Sequence, residues 1–86
     1  MDFAGVATLS RTELDKIGEE LIQRLERIRQ AKGMSKERFA NAVLGISSPT
    51  YYRWVEEKLA QLPLKRVKEL EELVERLERE LEEAKA

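Results

Sequence analysis

Apolar residues recur along this chain in three stretches, each with its own period. Leu14, Ile17, Leu21, Leu25 and Ile28 step by three or four residues, the stripe of one amphipathic helix. Ser10-Arg-Thr-Glu13 fits a capping box at its start, with Thr12 as the competing cap, and Gly33 supplies the left-handed terminus. Ser35 caps a second, short helix over roughly 36–43, with Phe39, Ala40 and either Val43 or Leu44 inward, and Gly45 breaks it. Ser47 or Ser48 caps a third helix, 48–58, with Pro49 in the first turn, where a missing N–H does least harm. Tyr51, Trp54 and Val55 stand at i, i+3 and i+4, which predicts one buried face with Trp54 in the core; Ser48, Pro49, Tyr52 and Arg53 fall on the other face. Two short helices joined by a tight glycine turn make a helix-turn-helix.

After Leu62-Pro63 a last helix begins at Leu64 and meets no further breaker. Val67, Val74 and Leu81 occupy heptad position a, and Leu70, Leu77 and Ala84 position d. In a parallel pair Arg66 faces Glu71 of the partner and Glu80 faces Lys85, both attractive. At about 1.5 Å per residue the helix spans roughly 33 Å, longer than a body this size is expected to cover. Its distal half is therefore expected to project or find a partner, and the helix to dimerise through Val67, Leu70, Val74, Leu77 and Leu81. The expected fold is all-α: a small four- to five-helix bundle with a helix-turn-helix and a long C-terminal helix extending as a coiled coil. Residues 1–10 lack any period and are expected to be a flexible arm, 11–63 the DNA-binding domain, and 64–86 the core-packing and dimerising helix.

Composition narrows the chemistry. The 86 residues contain no Cys and no His, which excludes disulfides, thiolate zinc sites, imidazole bases and the common nucleophile pairs. The 17 carboxylates lie among 16 Lys and Arg along helical faces, a solvated surface rather than an acid/base pair, so no enzyme, cofactor or metal is expected. No apolar run has the length of a signal peptide or membrane span, and the chain is expected in the cytoplasm. No residue cluster points to a small-molecule ligand.

The net charge of −1 hides an asymmetry. Residues 24–53 hold Arg24, Arg27, Arg29, Lys32, Lys36, Arg38 and Arg53 against Glu26 and Glu37, a local excess of +5. A local positive field is what phosphate contact needs, whatever the total charge; the same run also reads as an ordinary solvated surface.

Ala40, Gly45, Ile46, Ser47, Ser48, Pro49, Thr50, Tyr51 and Arg53-Trp54 together resemble the helix-turn-helix of the lambda-repressor-like superfamily of Cro, phage repressors and XRE-type regulators. Pro63 and the apolar residues after it are similar to that superfamily's last core helix, and the likeness covers about 13–75. The family usually places three residues between the alanine and the glycine; here Asn41 to Leu44 makes four, which looks more like the CUT branch. The resemblance implies that the third helix enters the major groove of double-stranded DNA. Arg53 then forks onto guanine, or else pairs with Glu56 or Glu57 on its own helix. Tyr52 packs on sugar or a thymine methyl, or lies along the neighbouring helix. Ser47, Ser48 and Thr50 cap the helix and reach phosphate, Pro49 offers apolar contact, and Arg29, Lys32, Lys36 and Arg38 form a cationic rim.

The function expected is a dimeric bacterial or phage transcriptional regulator reading a specific duplex sequence. The alternatives are a helical protein–protein adaptor, and a phage packaging or plasmid-segregation subunit of higher oligomeric state.

Overall fold

The chain describes four helices over residues 11–85 of a computed structural model, with no strand among them. The expected arm 1–10 and the Ser10 cap lie outside the described residues, as do the side chains of Thr12 and Leu14. Helix α1 is Arg11–Lys32. It closes at Gly33, φ +67°, whose N–H bonds to the Gln30 carbonyl while the Met34 N–H reaches that of Arg29. These two bonds satisfy carbonyls that every helix end leaves open.

Helix α2 spans 36–44 and changes pitch part-way. Ser35 Oγ accepts the Arg38 N–H at 3.1 Å and starts an ordinary α turn, Lys36–Arg38, after which Phe39–Leu44 is wound as a π-helix. The four residues between Ala40 and Gly45 are accommodated by this wider turn: the N–H of Gly45, in the left-handed region at φ +68°, bonds to the Ala40 carbonyl five residues back. Phe39 and Ala40 are buried, whereas Asn41 and Ala42 are both exposed. Helix α3 is Ser48–Glu57, and Ser47 is its cap, accepting the Thr50 N–H at 3.3 Å.

Two consecutive non-glycine residues, Lys58 at φ +53° and Leu59 at φ +63°, end α3. Each such residue costs about 1–2 kcal/mol, and packing offsets that cost. Leu59 is buried, and the Lys58 carbonyl oxygen lies only 2.0 Å from where a Cβ on Gly18 would stand. The buried Gly18 of α1 is therefore what lets the turn seat. Helix α4, Leu64–Lys85, follows, its first N–H groups from Arg66 and Val67 received by the Pro63 carbonyl.

Helices α1 and α4 run side by side in the same direction. Arg24 grips Glu78 through two hydrogen bonds, Nε at 3.0 Å and Nη2 at 2.7 Å, and further along Ile28 and Ala31 share a cleft with Leu81 and Lys85. Leu21, Leu25 and Ile28 of α1 meet Val67, Leu70, Val74 and Leu77 of α4 in one core that also holds Phe39, Tyr51 and Leu59. A large apolar side chain buried this way contributes about 1.5–3 kcal/mol.

Four of the five residues expected at a dimer seam are thereby used inside the chain. Val67, Leu70, Val74 and Leu77 are buried within the chain itself, and Leu81 is half-buried on the same face. The heptad needed a second apolar helix, and α1, also 22 residues long, supplies one without the loss of translational freedom that recruiting another molecule entails. No helix among the described residues is long and apolar enough to cross a membrane.

Candidate nucleic-acid interface

At 100° per residue, α3 turns Tyr51 inward and Pro49, Tyr52, Arg53 and Glu56 outward, and all four outward residues are exposed. Ser48 and Thr50, at the flanks, are half-buried, so Ser48 is not on the open face the sequence predicts. The aromatic core residue is Tyr51, fully buried and edge-on to Phe39 at a centroid distance of 5.9 Å. Trp54, expected in the core, is only half-buried. It stands about 60° around the helix from Tyr51 and faces a groove toward α4, beside Leu62 and Leu73.

Tyr51 also carries a polar connection. Its hydroxyl donates to Glu26 Oε2 at 2.6 Å, and Arg29 Nη2 donates to Glu26 Oε1 at 2.8 Å. Arg29 Nη1 donates to the Met34 carbonyl at 2.8 Å. Burial pushes the Glu26 carboxyl upward, but the hydrogen bonds from Arg29 and Tyr51 outweigh it and hold the group below the ordinary carboxylate value. The Tyr51 phenol is raised, by its own burial first and by the Glu26 contact second. Arg29 was expected on the phosphate rim. Its guanidinium is instead occupied by Glu26 and the end of α1, with the side chain 18% exposed.

Tyr52 lies along the neighbouring helix. Its hydroxyl donates to Glu37 Oε2 at 2.6 Å, and Lys36 Nζ stands 5.6 Å from its ring centroid. That bond holds the Glu37 carboxyl below its ordinary value and raises the phenol of Tyr52. The ring itself stays 43% exposed. Neither Glu37 nor Glu26 was assigned a role in the sequence; the bonds they accept span 15 and 25 residues, beyond any local pattern.

Arg53 is exposed and forms no hydrogen bond or ion pair among the described residues; the pairings with Glu56 and Glu57 are not made. Lys32 and Arg38 are likewise exposed and without a side-chain partner among those residues. Ser47 Oγ and Thr50 Oγ1 bond to one another at 2.7 Å. The structure thus brings Lys36, Glu37, Tyr52 and Arg53 to one surface and withdraws Arg29 from it.

No group of three or more metal-ligating side chains occurs among the described residues. Comparison of the chain with family models, with curated proteins and with solved structures gives no match in any of the three.

Proposed function

We propose that the chain binds double-stranded DNA in a sequence-specific manner, as a transcriptional regulator does, with 36–57 acting as a helix-turn-helix. Helix α3 lies in the major groove on its Pro49, Tyr52, Arg53 and Glu56 stripe. Arg53 presents its guanidinium fork to guanine, and Lys32, Lys36 and Arg38 neutralise phosphates. The Ser47 and Thr50 hydroxyls stand where a helix start meets the backbone.

The observation that carries this reading is Arg53. An arginine held outward on a short rigid helix, with no intramolecular partner among the described residues and cations on the adjoining helix, has its donors available for a ligand. Glu37 and Glu56 add acceptors, which suit a cytosine amino group and repel a phosphate. Their presence restricts the surface to base contact at that point and leaves phosphate contact to the flanking cations.

Selection from random duplexes by the purified chain tests the proposal. An enriched motif is expected, with affinity falling roughly 40-fold between 50 and 200 mM salt for the phosphates that Lys32, Lys36 and Arg38 neutralise. Arg53→Ala is expected to weaken specific binding by about 1–3 kcal/mol and to relax one base position. Enrichment of no motif, with binding indifferent to salt, would sink the reading.

A further inference from the structure

Trp54, with Leu44, Ile46, Leu62 and Leu73, lines an open apolar groove of about 170 Å³ between α4 and the ends of α2 and α3. The groove lies on the flank of α4 turned away from α1. Glu78 faces α1 through its bond to Arg24, and Leu73 and Glu69 stand about 140° and 180° around the helix from it. At the same end of the fold Leu64, the first residue of α4, is 44% exposed. One turn on from Trp54, Oε1 of Glu57 is buried with no hydrogen-bond partner among the described residues. The surface from Leu64 to Trp54 thus offers apolar contact and a free acceptor.

Residues 1–10 join the described fold at Arg11, and their length decides what they can reach. Counting back equally from Arg24 and Glu78 along two helices that run in the same direction leads to Arg11 and Lys65, so the join is level with the start of α4. At about 3.3 Å per extended residue, Leu9 reaches about 7 Å from Arg11, Val6 about 17 Å and Phe3 about 26 Å. Crossing the start of α4 takes one interaxial spacing and a helix radius, about 15 Å. Val6 and Phe3 both span that distance. The cleft beside Ile28 and Leu81 begins about 26 Å along α1 from Arg11, where only a fully extended Phe3 touches its edge. Size favours the nearer groove as well: a cavity of about 150 Å³ holds one benzene ring, and Phe3 is the one aromatic residue in 1–10.

We propose that residues 1–10 fold back across the start of α4, with Leu9 over Leu64 and the Phe3 ring seated in the groove against Trp54. Burial of these apolar side chains supplies the attraction, and a backbone N–H of the crossing segment donates to Glu57 Oε1. The contact uses no residue of the Tyr52–Arg53 surface and stands apart from the nucleic-acid reading.

Trp54 is the single tryptophan, so its emission reports the seat directly. Phe3→Ser in the full chain is expected to shift that emission to the red and to raise its quenching by acrylamide, whereas Phe3→Leu, still apolar, keeps most of the protection. Neither substitution touches the core that α1 and α4 share, and circular dichroism checks that helicity is kept. A photoreactive benzophenone side chain at position 3 then maps the contact. Cross-links are expected within one chain, to Trp54 or its neighbours Leu62 and Leu73, in equal yield at every protein concentration. Emission and quenching indifferent to Phe3→Ser overturn the proposal, as do cross-links that fall beside Ile28 and Leu81 or that form only between two copies.

Discussion

The hydroxyl of Tyr51 in α3 donates a 2.6 Å hydrogen bond to Oε2 of Glu26 in α1, tying the helix that carries the candidate reading surface to the longest packed pair of the fold. Glu26 is held in turn by Arg29, which also closes onto the Met34 carbonyl. A single carboxylate therefore sets the pose of α3 and the turn leading into α2. Tyr51→Phe keeps the ring packing against Phe39 and removes only the donor. It is expected to cost about 1–2 kcal/mol in urea unfolding, with an unchanged m-value.

Acid should release the same connection. The folded-state carboxyls of Glu26 and Glu78 both lie below their ordinary value of 4.5. A depressed carboxyl contributes stability that is fully present above the unfolded value and is lost as pH falls through the folded one. Unfolding titrations from pH 7 downward are expected to be flat to about pH 5 and to lose stability below it. Glu26→Gln should lower the plateau and shallow the decline, because the protonation of Glu26 no longer contributes.

Gly18 admits the backbone of another segment. A methyl group there meets the Lys58 carbonyl oxygen at 2.0 Å, a contact with main chain that no rotamer change relieves. Gly18→Ala is expected to destabilise by about 3 kcal/mol, at the upper end for overpacking, despite alanine's better helix propensity. The converse change, Lys58→Gly at φ +53°, should stabilise by about 1 kcal/mol, since glycine adopts that conformation without strain. Thermal melts of both variants check the pair.

Arg29 and Arg53 are expected to separate stability from binding. Arg29→Ala strips Glu26 of its ionic partner and should lower the unfolding midpoint at any salt concentration. Arg53→Ala removes no hydrogen bond or ion pair among the described residues, so its melt should match wild type while duplex affinity falls. A mobility-shift titration beside a melting curve for each variant distinguishes the two roles.

The apolar face of α4 belongs to the monomer's core, which gives a direct stability test. Leu77→Ala is expected to cost about 3 kcal/mol. Truncation after Leu73 removes Val74 and Leu77 together, both buried, and should abolish cooperative unfolding rather than merely change the oligomeric state.

Local signals in the chain located every described helix to within a residue or two. Gly33 and Gly45 stop helices because only a residue without a side chain adopts φ near +67° at no cost, and Ser35 and Ser47 start them by receiving an N–H three residues on. Those are relations between near neighbours, which a linear pattern records. The candidate surface was legible to the same depth. Pro49, Tyr52 and Arg53 follow from helical periodicity, and their exposure from the opposed position of Tyr51.

What the pattern left open was which partner each element takes. The period of Val67, Leu70, Val74 and Leu77 states that an apolar helix must be met, and a second molecule satisfies it as well as α1 does. The turn at Lys58-Leu59 is seated on Gly18, and in the folded chain the apolar face of α4 shares its core with α1. The roles of the charges were undetermined for the same reason. Nothing near Arg29 or Arg53 in sequence distinguishes them, and it is the fold that sets Glu26 beneath Tyr51 while leaving Arg53 facing outward. Periodicity specifies faces; contacts between distant segments, made only when the chain closes on itself, specify what each face meets.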